Sequence, residues 1–350
     1  LDSARFFDGI PLSTNVVQPQ AANPVLFLSR TQRIGIFTMA TIFIDGQAGT
    51  TGIEITTRLR GRSDLELLTI ADEHRKDPAI REQMFKQADI AILCLPDTAA
   101  LEACALAEHN CRILDASSAH RVHPEWAYGL PELNPQNRTA IAEADRVSNP
   151  GCYPQGFILS ILPLIEAGLL NPSTPLRCNA VSGYSGGGRQ MIESFEDFTP
   201  EQADTYNTQT YGLTQGHKHL PEMQHYSGTT VAPIFLPTVA NYYKGMVTSV
   251  ALFASELSGA TPAEVQAILE QRYADERFIR VAPVNAEQQL VNGYLNPTAC
   301  NGTNNLELMV FGDAQRVIIN ARYDNLGKGA AGAAIQNLNI MLGMQEELGL

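Results

Sequence analysis

Ile42-Phe43-Ile44-Asp45-Gly46-Gln47-Ala48-Gly49-Thr50-Thr51-Gly52 runs from four strand-like residues straight into a turn with glycine at every third position. Residues 42–45 read as a short buried strand, and residues 53–59 after the turn read as an amphipathic helix. A second strand at 65–70 completes strand, glycine-rich turn, helix and strand within about 30 residues, which is the dinucleotide-binding unit. Gly46 permits the tight turn, Gly49 lets the backbone approach a pyrophosphate, and Gly52 lets the helix pack on the strand. With Thr50 and Thr51 in the same turn, they are the candidate cofactor contacts. The spacing is G-x-x-G-x-x-G, one residue longer between the first two glycines than the commonest fingerprint. The segment after the second strand, Ala71-Asp72-Glu73-His74-Arg75-Lys76, holds an acid suited to a ribose 2′-OH and bases suited to a 2′-phosphate. These residues alone leave NAD and NADP both open.

Downstream the alternation continues. A helix is expected near 79–87, a strand at 90–95, a helix from Pro96 to about 108 and a strand at 112–115 that runs into Ala116-Ser117-Ser118-Ala119-His120-Arg121. Repeated β-α units imply a parallel sheet, with ligands outside the carboxyl ends of its strands. Pro96 and Ser117 fall at such ends, either beside a bound nicotinamide or simply as turn residues.

A different element follows. Ser148-Asn149-Pro150-Gly151-Cys152-Tyr153-Pro154 holds one cysteine between two prolines and a glycine, ahead of the apolar run 157–165. The prolines fix the backbone, and a helix N-terminus favours a thiolate. A buried packing cysteine is the alternative. Residues 177–183 read as a strand that ends in a Gly183-Tyr184-Ser185-Gly186-Gly187-Gly188-Arg189 loop. Its free N–H groups, with Ser182, Gly183, Ser185 and Arg189, are candidates for an anionic substrate; a flexible linker is the alternative. Gly216-His217-Lys218-His219-Leu220-Pro221-Glu222 sets two histidines around a lysine at a helix start, a source of a general base. As a metal site an H-x-H pair is thin, and no metal is expected. Strands and one capped helix through residue 321 make this half an α+β domain with a mostly antiparallel sheet. A helix rich in small residues closes the chain at 325–350.

The bulk numbers limit the partners. The 350 residues suffice for two domains, and 44% apolar with 17% charged residues is a globular composition. A net charge of −13 argues against nucleic acid as the main partner. The six cysteines form no C-x-x-C pair, which suggests reduced thiols in a cytoplasm. No stretch approaches the roughly 20 apolar residues of a membrane span, and no secretory signal pattern opens the sequence. Residues 1–38 keep no periodicity, so they are expected to be an extension, with the folded enzyme beginning near Met39.

Taken together, GQAGTTG at 46–52, SNPGCYP at 148–154, GYSGGGR at 183–189, GHKHLPE at 216–222 and NLGKGAAGAAIQ at 325–336 resemble the N-acetyl-γ-glutamyl-phosphate reductase family, in its shorter type. The wider group includes aspartate-semialdehyde dehydrogenase, which the glycine loop and cysteine turn alone would also fit. The resemblance implies a Rossmann-type NADP-binding domain at 39–150, rejoined by the C-terminal helix 325–350, and a catalytic α+β domain at 151–324. It implies that Cys152 attacks the acyl phosphate of N-acetyl-γ-glutamyl phosphate and that the resulting thioester is reduced with NADPH, a step of arginine biosynthesis. His219, or else His217, would be the acid–base, and the motif does not rank them. Lys218, Arg189 and Arg121 would meet the substrate's phosphate and carboxylate. Asn325, Lys328 and Gly329 would lie beside the cofactor, with Arg75 on the 2′-phosphate. A cytoplasmic homo-oligomer, dimer or tetramer, is implied too. An aspartyl-phosphate enzyme or a non-catalytic NADP-binding regulator are the competing readings.

Overall fold

Strand and helix alternate from residue 40 onward to build one parallel sheet. The computed structural model describes residues 39–350, so the extension read at 1–38 lies outside the described residues. Strands β1 (Ala40–Asp45), β2 (Leu65–Leu68), β3 (Ile90–Leu93), β4 (Arg112–Asp115), β5 (Ala127–Tyr128) and β6 (Arg146–Ser148) pair in the order β2-β1-β3-β4-β6-β5. Every pairing is parallel. The connections carry α1 (Thr50–Leu59), α2 (Pro78–Gln87), α3 (Asp97–Ala107) and α4 (Asn137–Glu143). α2 starts where its sequence says it should: Asp77 accepts the Ala79 N–H, and Pro78 occupies the first turn, where it has no hydrogen bond to lose. α1 begins at Thr50, three residues before the amphipathic pattern, so Thr50, Thr51 and Gly52 form its first turn and are not loop.

The sequence crosses to a second sheet through α5 (Cys152–Glu166), of which eleven residues are buried. A helix that is apolar all round belongs inside a core. α5 packs against one face of a seven-stranded sheet built from β7 (Arg177–Gly183), β8 (Thr208–Thr210), β9 (Ile234–Ala240), β10 (Met246–Phe253), β11 (Ile279–Val281), β14 (Leu306–Gly312) and β15 (Arg316–Tyr323), with a separate hairpin of β12 (Leu290–Val291) and β13 (Tyr294–Leu295). The order β11-β14-β15-β10-β7-β9-β8 is mostly antiparallel, as expected. The segments between strands hold α6 (Arg189–Glu196), α7 (Pro200–Thr205), α8 (Leu220–Ser227) and α9 (Pro262–Tyr273). α5, α8 and α9 share one core with the sheet's inner face, through residues such as Phe157, Met223, Leu269 and Tyr323. The outer face alternates toward solvent at Ile234, Phe253 and Ile318.

The last helix, α10 (Gly332–Met341), returns to the first sheet, where Ala334, Ile335 and Leu338 join Ile42, Ile44, Ile55 and Ile92 in one cluster. The opposite face of that sheet is filled by Phe43 and Leu93 with Phe85, Ala100 and Ala103 of α2 and α3. The helix expected over 325–350 is shorter than that. A π-helical turn, Gly327–Ala331, precedes α10, and Gly343 at φ +68° stops any continuation.

Candidate active site

β6 ends at Ser148, three residues cross the top of the sheet, and Cys152 is the first residue of α5. Gly151 caps that helix with φ −68° and ψ 155°, which any residue adopts, so backbone freedom is not what requires glycine there. Space is. A Cβ on Gly151 would fall 2.5 Å from Glu222 Oε1, 2.6 Å from Arg121 Nη1 and 2.7 Å from His219 Nε2. Three functional side chains therefore converge on the peptide just before the thiol. Gly151→Ala is expected to lower turnover by on the order of 10- to 100-fold, the cost of displacing positioned groups by about 1 Å, with unchanged far-UV circular dichroism. Steady-state kinetics within twofold of the unmodified enzyme would contradict this packing.

Glu222 organises the cluster. Its Oε1 pairs with Arg121 Nη1 at 2.7 Å, and its Oε2 accepts from Tyr128 Oη at 2.9 Å and from the Gly151 N–H at 3.0 Å. Arg121 also donates to the Asn149 and Ala116 carbonyls, so this buried guanidinium ties the β4 loop to the Cys152 turn. From sequence Glu222 served only to mark a helix start. Its place in the first turn of α8, one helical step from His219, was the signal that it shares the histidine's surroundings.

His219 is buried, and its Nδ1 has no hydrogen-bond partner among the described residues. Burial, reinforced by the Arg121 guanidinium, holds it well below the usual histidine range. His217 lies outside it, with ring centroids 4.7 Å apart, and its Nδ1 accepts the His219 backbone N–H at 3.2 Å. Burial brings His217 down to about 4, with Lys218 and Arg121 adding to the effect. Burial also outweighs the helix N-terminus at the thiol: it pushes Cys152 up to about 11, while Arg121 and the Tyr153 N–H pull the other way. A thiol in that state is about one part in ten thousand thiolate at neutral pH, so a base has to take its proton. Tyr323 Oη donates to the Cys152 carbonyl at 2.7 Å, and Gly329 packs so closely that a Cβ there would lie 3.1 Å from Cys152 Cβ.

At the glycine-rich turn, Gly46 has φ +89°, and a Cβ there would meet the Cys94 carbonyl at 2.3 Å. A Cβ on Gly52 would meet the Gly46 carbonyl at 2.4 Å, so Gly52 lets the helix approach the turn rather than the strand. Gly49 is the N-cap of α1, with no side-chain cap over the N–H groups of Thr50, Thr51 and Gly52. A ten-residue helix opening this way suits an anionic phosphate. Arg75 is exposed beside the short Asp72–His74 turn, and Pro96 is exposed at the start of α3.

Several expected contacts lie elsewhere. The Ser117 hydroxyl donates to Asp115 and accepts from the Ala119 N–H, so it shapes the β4 loop. The N–H groups of Gly183, Tyr184, Ser185 and Gly188 bond to carbonyls of Gly245, Tyr242, Tyr243 and Ser185, which corrects the reading of these four as free anion donors. The same bonds rule out a flexible linker. Ser182 is buried at the end of β7, and Asn325 spends its amide on Ser185 Oγ and the Gly245 N–H, bracing the loop. Arg189 opens α6 in solvent, where its guanidinium pairs with Glu193. Lys218 is exposed between the two histidines. Lys328 is fully buried, with its ammonium bonded to Glu132 and Gln336; that corrects its side chain as a nucleotide contact. Among the described residues no group of His, Cys, Asp and Glu could hold a metal ion, and no helix is long and apolar enough to cross a membrane.

Comparison with known proteins bears on the same two halves. The family described as semialdehyde dehydrogenase, NAD binding domain, matches residues 41–141, and semialdehyde dehydrogenase, dimerisation domain, matches 152–325. N-acetyl-gamma-glutamyl-phosphate reductase 2 of Nostoc sp. is 47% identical over 317 residues, 88% of this chain and 98% of the relative. The protein of that name from Pseudomonas putida is 49% identical over 307 residues, 86% of this chain and 96% of the relative. The chain belongs to the N-acetyl-γ-glutamyl-phosphate reductase family. Both halves of this member of the reductase family match domains described for semialdehyde dehydrogenases. Among solved structures, aspartate semialdehyde dehydrogenase II complexed with ASA from Vibrio cholerae aligns with TM-score 0.67 at 17% identity, covering 87% of this chain and 99% of that one. The Candida albicans aspartate semialdehyde dehydrogenase with NADP aligns at 0.57 and 12% identity, over 87% of this chain and 99% of that one. At those identities the likeness is one of fold.

Proposed function

We propose that this reductase converts N-acetyl-γ-glutamyl phosphate to N-acetylglutamate 5-semialdehyde with NADPH, as a step of arginine biosynthesis. The observation that carries the proposal is the convergence of His219 Nε2, Arg121 and Glu222 on Gly151, directly before a cysteine that opens a buried helix. Neutral His219 takes the Cys152 proton, and the Arg121 guanidinium favours the thiolate. Cys152 Sγ bonds to the acyl carbon as the carbon–oxygen bond to phosphate breaks, which leaves a thioester on the enzyme and releases inorganic phosphate. A nicotinamide nucleotide, when bound, supplies the hydride that reduces this thioester. His219 gives its proton to the thiohemiacetal oxygen and takes it back as the carbon–sulfur bond breaks and the semialdehyde leaves. Exposed Lys218, between the two histidines in sequence, is the candidate cation for the substrate's phosphate or carboxylate. Arg121, already held by Glu222, acts on the thiol from within the wall of the site.

The α1 N-terminus, with Gly46, Gly49, Thr50, Thr51 and Gly52, would hold the nucleotide's pyrophosphate, and Pro96 would lie toward the nicotinamide. Arg75 has no ion-pair partner among the described residues, which supports NADP over NAD. Arg75→Ala is expected to raise KM for NADPH roughly tenfold, the order of one charge-assisted hydrogen bond, and to leave KM for NADH unchanged. Equal changes for both nucleotides would remove Arg75 from the 2′-phosphate. The two-domain division at about residue 150, with α10 rejoining the first domain, goes with this reading. So does a homo-oligomer, supported by the dimerisation-domain match and by the solvent-facing side of the seven-stranded sheet.

A spectrophotometric assay of the reverse reaction tests substrate and cofactor together. NADP reduction should require both N-acetylglutamate semialdehyde and phosphate, and NAD should be the poorer acceptor. Faster turnover with aspartate semialdehyde would assign the enzyme to the sibling reaction. No turnover with either would leave a nucleotide-binding protein without this chemistry.

A further inference from the structure

We propose that Lys328 is a positioning residue for the Cys152 thiol, acting through its buried pair with Glu132 and through the π-helical turn it belongs to. The inference rests on the reading of Cys152 as the reacting group. The side chains of Lys328 and Glu132 are both 0% exposed, with Nζ 2.7 Å from Glu132 Oε1. Gln336 closes the triangle: its Oε1 accepts from Nζ at 2.8 Å, and its Nε2 donates to Glu132 Oε1 at 3.0 Å. A buried ion pair contributes little net stability over well-packed apolar residues, and its best-attested use is to fix one register over another. At this position a register needs fixing.

The turn Gly327–Ala331 closes its hydrogen bonds over five residues where an α-helix spans four, with Gly329 N–H bonded to the Asp324 carbonyl and Ala331 N–H to the Leu326 carbonyl. Its outward carbonyls receive the two side chains that flank the nucleophile in sequence. Gln155 Nε2 donates to the Lys328 carbonyl at 2.8 Å, and Asn149 Nδ2 donates to the Ala330 carbonyl at 3.1 Å. Between these two bonds Gly329 presses against Cys152 Cβ. The ammonium anchors the turn on Glu132 and Gln336, and the Lys328 and Ala330 carbonyls clamp the segment around Cys152. Glu132 belongs to the short Pro131–Leu133 turn after β5, so the pair also sets the thiol's height relative to the sheet whose first turn is the proposed nucleotide site.

The test compares Lys328→Met and Glu132→Gln with the unmodified enzyme. Three quantities are read: kcat per folded molecule, the NADPH Kd by fluorescence quenching, and the pH midpoint of Cys152 alkylation by iodoacetamide, followed by peptide mass spectrometry. A kcat at least tenfold lower, a shifted alkylation midpoint and an NADPH Kd within twofold are expected for both variants. A lowered melting temperature with kcat and midpoint unmoved would make the network structural only and overturn the proposal. Weakened NADPH binding with an unmoved midpoint would return Lys328 to the cofactor. Glu132→Gln keeps shape and an acceptor oxygen, so it decides the matter if Lys328→Met fails to fold. The alkylation measurement needs no substrate. Absence of semialdehyde turnover in the unmodified enzyme would therefore count against the proposed function and leave the positioning result legible.

Discussion

Cys152→Ala is expected to lower phosphate-dependent NADP reduction on the order of 10⁴-fold or more while NADPH affinity stays within about twofold. The size follows from the kind of group removed. Without sulfur there is no thioester, and the hydride would have to reach an acyl phosphate that nothing holds covalently. Alanine is the right replacement, because the site around it is fixed by other atoms. Gly151 N–H is held by Glu222, and the Cys152 carbonyl is held by Tyr323. Those bonds are made by the backbone, so they survive the loss of a side chain, and α5 keeps its first turn. The variant should therefore trap the enzyme with nucleotide bound and no acyl transfer, which rapid-quench analysis with labelled acyl phosphate would report as an absent burst of phosphate. Retention of full turnover would refute the covalent mechanism outright.

The features legible in the sequence were those that glycine, proline and local periodicity enforce. The nucleotide turn could be read because Gly46 needs its positive φ and Gly52 meets the Gly46 carbonyl six residues back, and such local demands leave a fixed spacing. The parallel sheet could be read because both of its faces are covered, which makes its strands continuous apolar runs. Side-chain partners chosen over long separations were not legible. Glu222 meets Arg121 across 101 positions and Lys328 meets Glu132 across 196, and no local pattern marks either pair. The glycine loop at 183–189 misled in the opposite way. Its composition suggested free donors, yet the turn folds back on residues 242–245 and uses them. Cys152 shows both sides of this limit: its position at a helix start was readable, whereas the burial that raises its pKa came from residues elsewhere in the sequence.

The two histidines, unranked by their motif, differ in what their nitrogens do. His217 Nδ1 already accepts the His219 backbone N–H, which makes His217 a prop for the helix start, and its ring lies among Tyr153, Tyr211 and Phe235. His219 brings Nε2 to the Gly151 peptide, one residue from the thiol. His219→Ala should therefore lower kcat by roughly 10²- to 10⁴-fold, the range of a general acid–base, and His217→Ala by much less. The pH profile supplies an independent check with a definite sign. A base works in its neutral form, and burial holds His219 well below 6.5, so lowering the pH from 8 to 6.5 leaves it neutral. The acid limb of kcat/KM should then lie below pH 6.5, where an unperturbed histidine would already have lost half its activity. A limb centred between 6.5 and 7 would mean the base titrates as an ordinary exposed imidazole and not as buried His219. If His217→Ala alone produced the large loss, the roles would be reversed, and the backbone hydrogen bond at its Nδ1 would have to break before that nitrogen could act.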